Sequence, residues 1–151
     1  MKRTFAYLMT AFVAAALTVT SCSPIKDAPD QKDTVEFEAT VNGAQEVPST
    51  PSTATGTMTG TYNKKMKELS YTINYTGITP SAGHIHLAPG GPGTNGGFFH
   101  TLNPLTSPIS GKVVLTQLQE NALMEGRLYV NLHTERYSAG EIRGNIMRKK
   151  F

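Results

Sequence analysis

Residues 54–76, ATGTMTGTYNKKMKELSYTINYT, decide the fold of this chain. In the first half, small or apolar residues alternate with four threonines, and in the second half Leu69, Tyr71 and Ile73 alternate with polar residues. A period of two is typical of a half-buried strand, because successive side chains of a strand point to opposite faces of the sheet. The short polar segment 63–65 (NKK) separates the two halves, so the stretch predicts an antiparallel hairpin.

Alternation with the same period recurs along the rest of the chain, whereas helical periodicity is nearly absent. Further strands are predicted at residues 35–41, 84–88, 98–102, 111–116, 127–133 and 141–147. Residues 117–125 have a pattern compatible with a short helix. Seven to eight short antiparallel strands separated by Gly and Pro predict an all-β fold, a Greek-key β-sandwich or barrel.

The amino-terminal segment has the layout of a bacterial secretory signal. Two basic residues precede an apolar run at 5–19, and Val19-Thr20-Ser21 leads into Cys22, which is the only cysteine. The order hydrophobic-small-small-Cys resembles a lipobox, in which the cysteine thiol is acylated and the preceding segment is removed. We therefore expect three parts: a lipoprotein signal peptide at residues 1–21, a lipidated Cys22 with a flexible tether at 22–33, and a β domain at 34–151.

Two other interpretations of this segment stay open, an ordinary signal peptide with an incidental cysteine and a membrane helix. The apolar run is shorter than the about 20 residues that span a bilayer, which favours the lipoprotein. The predicted location is therefore the bacterial cell envelope, outside the cytoplasm, with the lipid anchor in the membrane. Ser23 after the cysteine is compatible with the outer membrane, if the cell is diderm.

The charge balance argues against nucleic acid as a partner. Removal of Lys2 and Arg3 with the signal leaves 12 of the 14 basic residues against 11 acidic ones, a net charge of +1. The basic residues that remain form no stripe, and such a stripe is the usual electrostatic footprint of a nucleic-acid-binding protein.

All four histidines lie in the second half of the chain. His84 and His86 are two residues apart, so on a strand both rings lie on one face, about 6.6 Å apart along the backbone. On the strand at 127–133 the aliphatic residues form one face, which leaves Asn131 and His133 on the opposite one. If these strands and the last one are neighbours, one outward-facing polar cluster results, formed by His84, His86, Asn131, His133, Glu141 and Arg143.

This cluster has two interpretations. The first is a metal site in which His84, His86 and His133 hold zinc or copper with one position open, and which His100 could complete. The second is a hydrogen-bonded network that fixes the strand register, or that binds an anionic or carbohydrate ligand through Arg143 and the imidazoles. A Ser-His-Asp triad is not supported, because every aspartate that follows the signal lies in the tether. No catalytic residue is assigned, and binding is favoured over catalysis.

Four motifs carry a resemblance to a known family. Residues 43–48 (GAQEVP), 83–86 (GHIH) with 93–96 (GTNG), 128–134 (LYVNLHT) and 140–144 (GEIRG) resemble, in order and spacing, motifs of the CHRD domain family, named for repeats in chordin. The resemblance runs from about Val35 to Met147 and implies a β-rich module outside the cytoplasm. Chordin is an extracellular antagonist of secreted growth factors, which implies binding of a partner, here a protein, a carbohydrate or a metal ion.

A second resemblance concerns the histidines. His84-x-His86, a glycine-rich loop, His100 and a later strand ending in His133 follow the order of the copper ligands in copper-zinc superoxide dismutase, a Greek-key β-barrel. The chain departs from that family because it has no disulfide, and its loop has no aspartate and no recognisable set of zinc ligands. The resemblance implies a copper- or zinc-binding protein as the alternative function but argues against dismutase activity. A purely structural envelope protein is the third alternative.

Overall fold

The computed structural model describes residues 33–150. Within this range the chain forms nine strands, one α-helix and one short 3-10 turn. The strands are β1 (Thr34–Asn42), β2 (Thr55–Asn63), β3 (Glu68–Thr76), β4 (Ala82–Leu87), β5 (Phe98–Thr101), β6 (Ile109–Val114), β7 (Leu128–His133), β8 (Ile142–Asn145) and β9 (Met147–Arg148). The 3-10 turn (Gly43–Gln45) follows β1, and the helix α1 (Gln117–Met124) lies between β6 and β7. The predicted signal peptide, Cys22 and nearly all of the tether lie outside the described residues.

The strands form one antiparallel sheet in the order β5-β4-β7-β8-β1-β2-β3-β6, with β9 paired to β1. The predicted hairpin is confirmed, since β2 and β3 pair from Thr55 opposite Thr76 to Asn63 opposite Glu68. The sheet curls into a nearly closed barrel. His100 of the edge strand β5 is hydrogen-bonded to Tyr71 of β3, which lies next to the other edge strand, β6. The connections β3–β4 and β6–β7 join strands that are not neighbours, as in Greek-key folds. The predicted all-β class is confirmed.

The apolar faces of the strands fill the barrel. In β1, Val35, Phe37, Ala39 and Val41 are buried while the two glutamates between them are exposed, as the alternation predicts. Each large apolar side chain that is fully buried contributes about 1.5–3 kcal/mol relative to an exposed one, so this interior is the main source of stability. The strand pairings join the strands of residues 33–150 into one sheet around a common core.

The short helix expected at 117–125 is present as α1. The Thr116 side chain accepts a hydrogen bond from the Gln119 amide, and the Gln119 side chain accepts one from the Thr116 amide, which is a capping box. Ala122 and Leu123 are buried in the barrel core, which fixes the helix against the sheet. Over the part of the chain that is described, no helix has the length and apolarity needed to cross a membrane.

Two loop segments cover the outer face of β4, β7 and β8. All six residues of β7 are buried, including those that point away from the barrel core. The covering segments are residues 43–53 and 89–97, and Asn95 Nδ2 joins them by donating a hydrogen bond to the Val47 carbonyl oxygen at 2.8 Å. Most of the predicted outward-facing cluster is therefore covered by distant loops, and His84 remains partly exposed.

Candidate metal centre

Three histidines converge on the outer face of β4 and β7. The two strands are antiparallel, with His84 opposite Asn131 and Ala82 opposite His133, so His133 lies diagonally beside His84. His84 Nδ1 is 3.1 Å from His133 Nε2. One ring nitrogen from each of His84, His86 and His133 lies within 4.8 Å of the corresponding atoms of the other two. The strands that carry these residues are therefore neighbours, as the predicted cluster required.

Backbone carbonyls orient two of these rings. His86 Nδ1 donates to the Gly96 carbonyl oxygen at 2.9 Å, and His133 Nδ1 donates to the Ser138 carbonyl oxygen at 2.9 Å. A carbonyl oxygen only accepts, so both Nδ1 atoms carry the hydrogen and both neutral rings present the Nε2 lone pair. Histidines that bind metals commonly have this arrangement, in which an outer hydrogen bond fixes the ring and its tautomer.

The Nε2 atoms of His86 and His133 differ in what they meet inside this group. His86 Nε2 is buried and has no hydrogen-bond partner among residues 33–150. His133 Nε2 accepts a hydrogen bond, and the donor is His84 Nδ1 because the other nitrogen of His133 already carries its hydrogen. An unpartnered buried acceptor beside a His–His hydrogen bond is costly for a protein without a further ligand, since a buried polar atom normally has a partner.

Aromatic rings flank the three histidines. Phe98 stacks on His84 with ring centroids 4.3 Å apart, and Tyr129 stacks on His86 with centroids 4.6 Å apart and planes inclined by 14°. His86 and His133 are each less than a tenth exposed, whereas His84 is only partly buried. Phe98 is more than half exposed. The group is therefore reached from solvent on the His84 and Phe98 side.

Burial favours the neutral form of His84 and His86. It lowers the pKa of His84, and the neighbouring His133 lowers it further. It also lowers the pKa of His86, although the hydrogen bond to Gly96 acts in the opposite direction. Neutral imidazole is the form that binds a metal ion, so the lowered pKa values of these two rings favour metal binding.

His100 does not join the other three histidines. It lies on β5 opposite Ile85, whose side chain is in the barrel core, and its Nε2 is 2.8 Å from the Tyr71 hydroxyl oxygen. Paired residues of a sheet point to the same face, so His100 faces away from His84 and His86. The likeness to the order of the dismutase copper ligands therefore reaches only three histidines in space.

The other predicted cluster residues lie beneath the loops: Arg143 and Asn131 form a buried network with Glu46, and Glu141 makes its own bonds to the loops. Arg143 is fully buried rather than exposed, and its guanidinium donates to the Thr94 carbonyl oxygen and to Asn95 Oδ1. Asn131 is also buried. Glu141 accepts hydrogen bonds from Ser52 Oγ at 2.7 Å and Thr134 Oγ1 at 2.5 Å, so it ties loops together. The prediction of one exposed cluster is corrected to a histidine group and a buried network.

Sequence reasoning missed the part that Glu46 takes in this network. Glu46 is 7% exposed, and burial raises the pKa of its carboxyl against the opposing effects of the Val47 amide and Arg143. A Cβ atom on Gly140 would lie 2.4 Å from Glu46 Oε1 and 2.4 Å from Asn131 Nδ2, so only glycine leaves room for both side chains. The signal was present in the motif GAQEVP, but nothing local indicates that its glutamate packs against Asn131 of the distant strand β7.

The family model of the CHRD domain matches residues 37–146. The chain belongs to the CHRD domain family. The matched segment begins in β1 and includes every residue of the histidine group and of the buried network. No curated protein and no solved structure matched the chain.

The resembling motifs meet at one place in this CHRD domain. GAQEVP supplies Glu46, and GHIH supplies His84 and His86. The loop motif GTNG and the strand motif LYVNLHT supply the residues that orient or complete the histidine group, and GEIRG supplies Arg143. Motifs that are far apart in sequence thus surround the outer face of β4, β7 and β8, which makes this face the candidate functional site.

Proposed function

We propose that this CHRD domain is a metal-binding module that holds copper or zinc through His84, His86 and His133. The observation that carries the proposal is the convergence of three imidazole nitrogens within 4.8 Å. Two of the rings are fixed by backbone carbonyls with their Nε2 atoms free of hydrogen. The remaining buried acceptor, His86 Nε2, gains in a metal ion the partner that it lacks among the described residues.

The ligand set favours a late transition metal. Imidazole nitrogen suits copper and zinc, and a site with no carboxylate does not suit calcium or magnesium. Three protein ligands leave a fourth position for water or another small ligand. Copper(II) generally binds nitrogen ligands more tightly than other divalent ions of the first row, so we expect it to bind more tightly than zinc.

Arg143 is not proposed as a contact for an anionic or carbohydrate ligand. Its guanidinium is fully buried and already donates to the loop at residues 94–95. A ligand would have to displace that loop before it could reach the charge, so the geometry favours the metal ion.

We further propose that the module works outside the cytoplasm, on the bacterial cell envelope, through a lipid on Cys22. The support is the sequence alone: a basic start, a short apolar run and a single cysteine after small residues. Two or more acyl chains hold a protein firmly at a membrane, where one is marginal. The proposed partners are thus a membrane and a metal ion, and not a nucleic acid.

Metal content tests the main proposal. Residues 33–151, purified without a His tag, are dialysed against copper or zinc, desalted at neutral pH and subjected to elemental analysis. We expect about one ion per chain in the wild type and loss of that ion in the His84→Ala/His86→Ala variant. His100→Ala is the matched control, since it removes an imidazole outside the group and should retain the ion. No retained metal in the wild type, or equal retention in the double variant, would overturn the proposal.

A further inference from the structure

We propose that Arg143 is a positioning residue for the histidine group. It holds residues 94–96 against the sheet, so that the Gly96 carbonyl stays on His86 Nδ1 and leaves His86 Nε2 as the nitrogen for a metal ion. The functional consequence, an Nε2 atom of His86 that is available to a metal ion, rests on the proposed function. The role itself concerns the tautomer of His86 in the metal-free protein and is tested there.

The contacts of Arg143 lead directly to the loop. Nη1 donates to Asn95 Oδ1 at 3.1 Å, and Nη2 donates to the Thr94 carbonyl oxygen at 2.8 Å. The next residue is Gly96, whose carbonyl oxygen accepts from His86 Nδ1. One fully buried guanidinium therefore fixes two successive residues immediately before the carbonyl that orients the ring.

This loop needs such a support. Five of the nine residues at 89–97 are glycines, and two are prolines. Glycine has more backbone freedom than any other residue, so a segment of this composition is ordered by its contacts and not by local preference. Gly96 also passes very close to β4, since a Cβ atom there would lie 1.8 Å from the Leu87 carbonyl oxygen. A small displacement of the loop would move the acceptor away from His86.

Arg143 also acts on His86 through the ring of Tyr129, which lies between them. The Arg143 guanidinium carbon lies 3.5 Å from the centre of the Tyr129 ring, and that ring stacks on His86. The Tyr129 hydroxyl oxygen is also 3.2 Å from both the amide nitrogen and the carbonyl oxygen of Gly96. A cation against the face of a tyrosine ring is attractive, and more so when both are desolvated. Arg143 thus holds both the ring beside His86 and the loop that accepts its hydrogen.

The test reads the tautomer of His86 by long-range ¹H–¹⁵N NMR on metal-free residues 33–151. The wild type should show His86 with hydrogen on Nδ1. Arg143→Lys keeps the charge but loses the two-pronged contact, so a mixture of tautomers is expected. Asn95→Ala should give a mixture as well, while Asn95→Asp should restore the wild-type state because it keeps the oxygen that Arg143 binds. Asn74→Ala, on the exposed outer face of β3, is the matched control and should change nothing.

The two Asn95 variants keep the test valid even if Arg143→Lys does not fold. An unchanged His86 tautomer in folded Asn95→Ala would overturn the inference. Equal mixtures in Asn95→Ala and Asn95→Asp would also overturn it, because the tie from Asn95 to Val47 would then hold the loop. Loss of an outer-shell partner typically weakens metal binding by 10- to 100-fold, and we expect this for Asn95→Ala. If the wild type binds no metal, the proposed function fails while the tautomer result still decides the role of Arg143.

Discussion

At the scale of single residues, the carboxylate of Glu46 is buried on the outer face of the barrel. Glu46, in the covering loop at residues 43–53, is 7% exposed, and Arg143 beneath the loops is fully buried. Burial is the main reason why its pKa is raised above the ordinary value of 4.5. The folded protein therefore binds a proton on Glu46 more tightly than the unfolded chain does. By linkage, this proton stabilises the fold at low pH and the stabilisation is lost as pH rises.

The variant Glu46→Gln should reveal this dependence. The contribution of the wild-type carboxyl is fully present below pH 4.5 and is lost as pH rises through the raised pKa of the folded state. The free energy of unfolding of Glu46→Gln, relative to the wild type, should therefore increase as pH rises through that window and then level off. Urea unfolding of both proteins between pH 4 and pH 8 measures it. A difference that is constant or decreases with pH would contradict the burial effect.

The alternation of side chains along a strand explains for which residues the face of the sheet was predicted correctly. His84 and His86 share a face because they are two residues apart on one strand, and this was predictable. Phe98 and His100 are also two residues apart, yet Phe98 lies opposite His86 while His100 lies opposite Ile85. A β-bulge between the two pairs reverses the parity. No local pattern indicates that bulge, so the sequence could not exclude His100 from the site.

At the scale of elements, the glycine-rich segment at residues 89–97 is the part most directly tied to the site. It accepts the hydrogen of His86 Nδ1, binds Arg143 and joins residues 43–53 through Asn95. Its glycines differ in surroundings, however. A Cβ atom on Gly96 would collide with the Leu87 carbonyl, whereas one on Gly97 would meet nothing within 4 Å. Substitutions at these two neighbouring glycines can therefore distinguish a change in the path of the loop from a loss of its backbone flexibility.

Gly96→Ala and Gly97→Ala form a matched pair. Each adds one methyl group and removes the same backbone freedom, but only Gly96→Ala has to push the loop away from β4. We expect Gly96→Ala to lower copper affinity at least about tenfold, as other losses of an outer hydrogen-bond partner do. Gly97→Ala should leave the affinity within about twofold, on the usual scale for surface changes of up to 0.5 kcal/mol. Competition titration with a coloured chelator measures both, and equal losses in the pair would contradict the role of the loop.

Most strands could be predicted from the sequence, but the loops that cover the outer face of β7 could not. Alternation placed β1, β2 and β3 and gave their inner faces, because each of these strands has one polar and one apolar side. In β7 the same alternation separates Tyr129, Asn131 and His133 from the aliphatic residues, yet both faces are buried. The loops that bury the polar face come from sequence positions far from β7, and a period along one strand carries no information about them.

At the scale of the whole molecule, the barrel places residues from both halves of the chain around one face. The order β4-β7-β8-β1 brings the glycine loop after β4 and the turn after β1 over the same three strands. The fold class followed from the alternation and the turn residues, whereas the structure has nine strands rather than the predicted seven to eight, and their order required long-range pairing. The site depends on that order, because His84 and His133 meet only when β4 and β7 are neighbours.

The attachment of the domain to a membrane is a prediction at this scale. Cells that express the full chain and are fed an alkyne fatty acid should incorporate the label into the protein. Cys22→Ser removes the only thiol that could be acylated, so the label should be lost and the protein should leave the membrane fraction. Ser21→Ala, which keeps a small residue before the cysteine, is the control and should remain labelled. Label of equal intensity in Cys22→Ser would contradict lipidation at this cysteine.

The most direct measurement is an anomalous-diffraction map of the copper-loaded protein, collected on both sides of the copper absorption edge. Metal binding at the proposed site predicts one strong peak on the outer face of β4 and β7, about 2.0–2.1 Å from a nitrogen of each of His84, His86 and His133. A peak at His100 or at the chain terminus, or no ordered peak beside these three rings, would contradict it.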